Sequence, residues 1–211
     1  MIIGFAGKKG SGKDTCCQQL SYNLSHCVTC SFASLLKKNI AMDILGLSRE
    51  QCYGNEKDKN SLTELKWENM PTRVPKIGLM TAREVLQYIG TDLFRTIDKN
   101  IWVNALLRII DKREKMLDPM KIQHFTLISD VRFISEVEGI HMRDGIVIKL
   151  CRAPYQDDIH SSENELNDYT NFDYVLQNDK MSLGEQRKMM GEFADSLRKS
   201  RKHFLLKYKH I

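Results

Sequence analysis

The sequence predicts an α/β protein, with a five-stranded parallel sheet that carries helices on both faces. Five short apolar segments alternate with longer segments in which apolar residues recur at helical spacing. A glycine-rich loop at residues 7–12 joins the first of these strands to the first helix, as expected where crossover helices connect parallel strands. The length of 211 residues suits one well-buried domain better than two independent ones.

The first half of the chain contains two predicted strands and two predicted helices. Apolar runs indicate strands at 1–6 and 27–32, and helical spacing indicates helices at 14–24 and 34–45. Residues 48–80 are polar and form the least regular part of the sequence. They are too long for an ordinary connection, so we predict that they form a mobile cap.

The second half begins with a well-marked helix. Thr81 and Glu84 have the pattern of a capping box, and apolar residues recur at every fourth position from Val85 to Ile97. Gly90-Thr91-Asp92 is expected to interrupt this helix. The polar, acid-rich residues 152–168 are predicted to form a lid. The other predicted elements are helices at 98–116, 133–142 and 182–209, the last interrupted at Gly191, and strands at 125–129, 146–150 and 174–176.

The loop after the first strand has the spacing of a phosphate-binding loop. The pattern Gly-x-x-x-x-Gly-Lys runs from Gly7 to Lys13, whereas a dinucleotide fingerprint would need Gly-x-Gly-x-x-Gly. Glycines let the backbone approach an anion, whose oxygens are attracted by the loop amides and the following helix start. Lys13 adds a cation for the β- and γ-phosphates. The predicted nucleotide-binding residues are Gly7, Lys8, Lys9, Gly10, Ser11, Gly12, Lys13, Asp14 and Thr15.

Asp14 departs from the usual pattern, in which a Ser or Thr hydroxyl that binds Mg²⁺ follows the lysine. Here Asp14 occupies that position and Thr15 comes one residue later. A carboxylate is also a hard oxygen ligand, so Asp14 and Thr15 are candidate metal ligands. The alternative is that Asp14 caps the helix start, where negative charge is favourable.

The composition indicates a soluble, intracellular protein. The sequence has no charged-then-apolar leader, and no apolar run approaches the length of about 18 residues that indicates a membrane helix. Its six cysteines fit buried thiols. Cys27 and Cys30 lie in a predicted strand that would point them to opposite faces, which disfavours a metal or redox pair.

The net charge of +5 comes from a basic tail. Residues 198–211 hold six Lys and Arg and no acid, so the rest of the chain sums to −1. We expect a solvated helix end whose cations suit the helix dipole, and we do not expect nucleic-acid binding. No membrane partner is expected either, and a homodimer is compatible with the sequence.

The chain resembles the deoxynucleoside monophosphate kinases of tailed bacteriophages and large DNA viruses over nearly its whole length. The order and spacing of four segments carry this resemblance. They are Gly-Lys-Lys-Gly-Ser-Gly-Lys-Asp-Thr at 7–15, Thr-Ala-Arg-Glu-Val-Leu-Gln-Tyr-Ile-Gly-Thr-Asp-Leu-Phe-Arg at 81–95 with Trp102 downstream, Ser-Asp-Val-Arg-Phe at 129–133 with Glu136, and His-Ser-Ser-Glu at 160–163 followed by Asn178-Asp179.

This resemblance implies a P-loop nucleoside monophosphate kinase fold with strand order 2-3-1-4-5. It also implies ATP as phosphoryl donor, Mg²⁺ as cofactor and a (deoxy)nucleoside monophosphate as the small-molecule acceptor. Residues 1–211 would then form a single kinase domain in the cytoplasm, or in the host cytoplasm if the protein is viral. The cap at about 46–102 would lie on the substrate side, and the lid would cover about 152–168.

The resemblance also implies roles for individual residues. Phosphoryl transfer between two nucleotides depends on alignment and charge neutralisation, so cations should crowd the site. On this charge argument, the predicted catalytic residues are Lys13, Asp130, Arg132 and Arg152. The implied acceptor-binding residues are Lys9, Arg83, Thr91, Trp102, Asp130, Arg132 and Glu136.

Several alternatives stay open from the sequence. An animal-type phosphomevalonate kinase shares the Ser-Gly-Lys-Asp loop and the Asp-x-Arg segment, although Gly90-Thr91-Asp92 with Trp102 favours a nucleotide acceptor. A nucleotide-sensing or nucleic-acid-binding protein without turnover is a further class. At single positions, Arg83 could pair with Gln87, Trp102 could belong to the core alone, and His160 is expected to be a hydrogen-bonding residue of the lid and not a chemical base.

Overall fold

A computed structural model of the chain describes residues 1–71, 76–117, 123–154 and 164–199. The described residues form two compact units. The first contains Met1–Phe32 and the described residues from Val103 onward, and the second is Ala33–Trp102.

The first unit is built on a five-stranded parallel sheet. Its strands are β1 (Ile2–Ala6), β2 (Cys27–Cys30), β5 (Phe125–Val131), β6 (Ile146–Leu150) and β7 (Tyr174–Leu176). Their spatial order is β2-β5-β1-β6-β7, and all four neighbouring pairs are parallel. The parallel α/β sheet predicted from the sequence is therefore confirmed. All carboxyl ends lie at one edge, where open parallel sheets bind ligands.

The strand labels in this order differ from the expected 2-3-1-4-5, because the chain contains two additional strands. Two short strands of the second unit, β3 (Leu62–Lys66) and β4 (Leu79–Thr81), pair antiparallel with each other and come between β2 and β5 in the chain. They were not predicted, because they lie in the polar segment 48–80. When the five strands of the large sheet are counted alone, the order along the sheet is 2-3-1-4-5.

The central strand β1 is buried along its whole length. A side chain at Gly4 would lie 2.6 Å from Cδ1 of Ile140, so the glycine makes room for the helix α7 (Ile134–His141) on this face. Large side chains such as Phe5 are 0% exposed, and each such burial contributes about 1.5–3 kcal/mol. The core thereby fixes the direction in which the loop leaves the sheet.

Three further helices belong wholly or mainly to the first unit: α1 (Lys13–Asn23), α6 (Ile101–Leu117) and α8 (Leu183–Lys199). Leu20 of α1 and Phe193 of α8 share one apolar core with β1 and β6. The expected interruption at Gly191 is wrong, since α8 runs through this residue without a break. Residues 200–211 lie outside the described residues. They include the rest of the predicted helix and most of the basic tail.

The second unit is more regular than its sequence suggested. It contains the short helices α2 (Arg49–Tyr53) and α3 (Glu56–Lys59) in addition to β3 and β4. Both helices begin with a capping box, formed by Ser48 with Gln51 and by Asn55 with Asp58. These caps are made entirely by polar side chains, so a search for apolar periodicity does not detect them.

The capping box predicted at Thr81 and Glu84 is confirmed and begins the helix α4 (Ala82–Gln87). A π-helical segment at Tyr88–Leu93 follows, and then the helix α5 (Phe94–Ile97). The predicted interruption at Gly90-Thr91-Asp92 is thus a π-helical turn. A second π-helical segment, Leu36–Met42, stands where an α-helix was expected, and Leu36 packs on Gly90.

No helix in the described part of the chain is long and apolar enough to cross a membrane.

Candidate functional site

The loop between β1 and α1 has a backbone that requires glycine. Gly7, Gly10 and Gly12 have φ angles of 144°, 73° and 96°, in the region that side chains disfavour. A Cβ atom on Gly7 would also lie 2.7 Å from Oγ of Ser11 and 2.8 Å from the carbonyl oxygen of Leu150. The loop therefore encloses a tight concave turn at the carboxyl edge of the sheet.

Two polar groups of this loop are buried. Ser11 is 0% exposed, and its Oγ has no hydrogen-bond partner among the described residues. Lys13 is 6% exposed, and its Nζ donates to the carbonyl oxygens of Gly7 at 2.6 Å and Lys8 at 2.7 Å. A buried hydroxyl without a partner and an ammonium group held across a glycine-rich turn fit the phosphates of a nucleotide.

The environment of Lys13 disfavours its positive charge. Burial, followed by the nearby Arg132, lowers the pKa of Lys13 to about 7, although Asp14 and Asp130 act in the opposite direction. These four side chains are thus electrostatically coupled in the first unit. A phosphate group bound at the loop would stabilise both cations, because opposite charge favours the ionised form.

Asp14 is not the N-cap residue of α1, since Gly12 occupies that position. Asp14 is exposed in the first turn of the helix, and Thr15 follows it with partial burial. The Asp14 side chain therefore does not act as the N-cap of α1, although its negative charge still suits the helix dipole. Its exposed carboxylate also fits Mg²⁺, which binds few protein oxygens together with phosphates and water.

Two carboxylates near the carboxyl end of β5 accept hydrogen bonds from backbone amides. Asp130 lies within β5 and not just beyond the strand as predicted, and its Oδ1 accepts a hydrogen bond from the backbone N–H of Phe32 at 2.7 Å. Glu136 is 2% exposed, and its Oε2 accepts from the N–H groups of Arg132 at 2.7 Å and Phe133 at 3.2 Å. Glu136 thereby fixes the backbone from which the Arg132 side chain extends.

The segments that follow β6 and β7 bind carbonyl oxygens of the loop. Arg152 donates from Nε and Nη2 to the carbonyl oxygen of Gly10 at 3.3 and 3.1 Å. Asn178 donates from Nδ2 to the carbonyl oxygen of Ser11 at 2.8 Å. Arg152 was predicted as a site residue, whereas Asn178 was only part of a segment that carried the resemblance. Its position two residues after a predicted strand, in a segment that carried the resemblance, was the signal that could have identified it as a site residue.

Of the other acceptor residues predicted from the resemblance, Lys9 lies in the first unit, and Arg83, Thr91 and Trp102 lie in the second. Nη2 of Arg83 donates to Glu56 at 2.7 Å and its Nε donates to Asn60 at 3.1 Å, so the alternative pairing with Gln87 is wrong. Trp102 is 7% exposed and donates from Nε1 to the carbonyl oxygen of Gly90 at 2.7 Å. This bond holds the π-helical segment that contains the partly buried Thr91.

The family model for deoxynucleotide monophosphate kinase matches residues 44–187 of the chain. The chain belongs to the deoxynucleotide monophosphate kinase family. A protein of Acanthamoeba polyphaga mimivirus named "Putative deoxynucleotide monophosphate kinase" is 35% identical to it over 185 residues, which cover 85% of this chain and 89% of the viral protein. The resemblance seen in the sequence is confirmed by both matches.

The family match covers Arg83, Trp102 and the turn that holds Arg132, but it begins after the phosphate-binding loop. The loop assignment in this deoxynucleotide monophosphate kinase family member therefore rests on its own spacing and geometry. The middle of the predicted lid, residues 155–163 with His160, lies outside the described residues.

The six cysteines of this family member are free thiols. Burial raises the pKa of Cys16 to about 11 and that of Cys17 to about 12, so neither is activated as a nucleophile. The described residues contain no group of three or more His, Cys, Asp or Glu side chains that could hold a metal ion.

Proposed function

We propose that this protein transfers the γ-phosphoryl group of ATP to a (deoxy)nucleoside monophosphate, which gives the nucleoside diphosphate and ADP. One observation carries the proposal: Lys13 is buried in a glycine loop near Asp130 and Arg132, together with a Ser11 hydroxyl that has no hydrogen-bond partner in the part of the chain that the structure describes. Membership of the deoxynucleotide monophosphate kinase family supports the reaction class.

The chemistry of this reaction suits a site in which cations are grouped at the phosphate-binding loop. The attacking atom is an oxygen of the acceptor phosphate, which is already ionised, so no side chain has to remove a proton. Catalysis then depends on alignment and on neutralising the charge of two phosphate groups. In our proposal Lys13 holds the β- and γ-phosphates, and Arg132 and Arg152 stabilise the charge of the transferred group.

ATP and Mg²⁺ are the proposed donor and cofactor. The amides of residues 7–15, the Ser11 hydroxyl and Lys13 would bind the triphosphate, and Asp14 with Thr15 would bind the metal. Bound Mg²⁺ supplies charge neutralisation and helps to orient the phosphates. The exposed carboxylate of Asp14, one residue after the buried Lys13, supports this assignment.

On the acceptor side, we assign the phosphate of the monophosphate to Arg83 and Arg132. A planar guanidinium group can bind two phosphate oxygens at once. Lys9, Thr91 and Asp130 are the further proposed contacts. Glu136 and Trp102 act through the backbone that they hold, since Glu136 accepts from the Arg132 amide and Trp102 donates to Gly90.

In this proposal residues 1–211 form one kinase domain in which the unit Ala33–Trp102 is the acceptor cap. The cap would then begin at Ala33, whereas the sequence led us to expect a start at about residue 46. Residues 152–168 would be the lid. We place the reaction in the cytoplasm, with small-molecule substrates and no membrane or nucleic-acid partner.

An ADP-release assay with a panel of acceptors tests this function. The panel contains the four common deoxynucleoside monophosphates, their ribose forms and phosphomevalonate, each with ATP and Mg²⁺. We expect ADP formation that depends on at least one nucleoside monophosphate. Turnover with phosphomevalonate alone, or ATP binding without any acceptor-dependent turnover, would overturn the proposal.

A further inference from the structure

Asn178 connects the ends of three neighbouring strands at the carboxyl edge of the sheet. It follows β7 by two residues, as Arg152 follows β6, while Ser11 lies in the loop after β1. Asn178 is 2% exposed, its Oδ1 accepts from the backbone N–H of Arg152 at 2.9 Å, and its Nδ2 donates to the carbonyl oxygen of Ser11 at 2.8 Å. Both ends of one buried amide are therefore used.

The contact with Ser11 determines the direction of a loop amide. In a planar trans peptide the C=O and N–H groups point in opposite directions. Because Asn178 binds the Ser11 carbonyl, the N–H of Gly12 in the same peptide is directed away from Asn178. Gly12 is the N-cap of α1, whose first amides are the groups that bind anions at a helix start.

Arg152 binds the preceding peptide of the loop, which joins Gly10 to Ser11. Its guanidinium group binds the carbonyl oxygen of Gly10, and the N–H of Ser11 donates to Lys8 within the loop at 3.1 Å. Arg152 thus contacts Gly10 with its side chain and Asn178 with its backbone N–H. Asn178 in turn contacts Ser11. Two successive peptides of the loop are fixed by residues that follow two other strands.

We infer that Asn178 is a positioning residue for phosphate binding, which orients the loop amide at Gly12 and couples the loop to Arg152. This inference rests on the proposed function of the loop as the nucleotide phosphate site. It assigns Asn178 no contact with the nucleotide. An amide is needed at this position, because a carboxylate would accept from Arg152 equally well but would repel the Ser11 carbonyl.

Two substitutions separate the two ends of the amide. Asn178→Asp keeps an acceptor for Arg152 and loses the donor to Ser11, whereas Asn178→Ser removes both contacts without adding charge. Asn171→Asp, at an exposed asparagine in the segment before β7, is the matched control for the change in charge. ADP is the probe, and its affinity is measured by titration calorimetry together with the melting temperature of each variant.

We expect both Asn178 variants to bind ADP roughly ten-fold more weakly or worse, by analogy with the loss of one charge-assisted hydrogen bond. The Asn171→Asp control should bind like the wild type, and the KM for the monophosphate should stay nearly unchanged.

If Asn178→Asp does not fold, Asn178→Ser decides the question. A folded Asn178 variant with a lower melting temperature but wild-type ADP affinity would show a purely structural role and overturn the inference. Failure of the proposed function is a separate result, namely a wild-type protein that binds ADP but transfers no phosphoryl group.

Discussion

Nζ of Lys13 lies 2.6 Å from the carbonyl oxygen of Gly7, six residues earlier in the chain. The lysine thus folds back over the loop that precedes it, and its ammonium group is held against two loop carbonyl oxygens. Because Lys13 is also almost completely buried, a phosphate bound at the loop would stabilise its charge.

The first prediction concerns the charge of Lys13. Lys13→Ala should lower kcat by roughly a hundred-fold or more, since it removes a cation from the developing charge of the transferred phosphoryl group. The fold should be retained, because the free lysine is destabilised by burial. Steady-state kinetics and circular dichroism measure both properties. Lys188→Ala, at an exposed lysine of α8, is the control, and near-wild-type turnover of Lys13→Ala would exclude the proposed role.

The second prediction concerns proton uptake on ATP binding. Burial lowers the pKa of Lys13 from its ordinary value of 10.5 to about 7 in the free protein, and a bound triphosphate should raise it again. At about pH 8, ATP binding should therefore take up roughly one proton per site, and ATP affinity should fall as the pH rises above 7. Titration calorimetry in buffers of different ionisation enthalpy measures this uptake. A wild-type signal independent of the buffer, or equal uptake by Lys13→Met, would contradict the assignment.

The same pKa shift predicts the sign of a stability effect. Between about pH 7 and 10.5 the folded protein binds fewer protons at Lys13 than the unfolded chain does. This contribution to the free energy of unfolding should therefore rise with pH over that window. Urea unfolding of the wild type and of Lys13→Met at several pH values isolates it, because the difference between the two proteins should change with pH. A difference that is constant across the window would refute this prediction.

The third prediction concerns Asp14 and Mg²⁺. Asp14→Asn should lower kcat and shift the Mg²⁺ titration to higher concentrations, because an amide oxygen is a weaker ligand than a carboxylate. Asp179→Asn, at an exposed aspartate after β7, serves as the control. Identical Mg²⁺ dependence of Asp14→Asn and the wild type would leave the helix dipole as the role of this residue.

The fourth prediction concerns the two acceptor arginines. Arg83→Lys and Arg132→Lys should each lower kcat/KM for the monophosphate by roughly ten- to a hundred-fold, since lysine cannot reproduce two-oxygen binding by guanidinium. The KM for ATP should change far less. Arg187→Lys, at an exposed arginine of α8, is the control. If the ATP KM rises and the monophosphate KM stays constant, the two nucleotides have been assigned to the wrong groups of residues.

Much of the first unit could be predicted, because its strands and its loop are determined by residues that are close together in the sequence. The apolar run before Gly7 and the glycine spacing determine a strand, a loop and a helix start within residues 1–23. In the same way, Thr81 and Glu84 predict their own cap. These signals need no information from distant parts of the chain.

The features that were missed depend on distant partners or on polar contacts. Asn178 binds Ser11 across 167 residues, and Arg83 binds Glu56 across 27, so no local pattern indicates either pair. The helices α2 and α3 begin with polar caps and lack an apolar stripe long enough to detect. Asp130 was expected beyond its strand, because its polarity hid the last two residues of β5.

The fate of the γ-phosphoryl group of ATP tests the account most directly. The wild-type protein is incubated with Mg²⁺, ATP labelled at the γ-phosphate and the best acceptor of the panel, and the products are separated. We predict that the label appears in the β-phosphate of the nucleoside diphosphate, in amounts equal to the ADP formed, and that Lys13→Ala abolishes this transfer. Label found only in inorganic phosphate, or no transfer to any nucleoside monophosphate, would contradict the account.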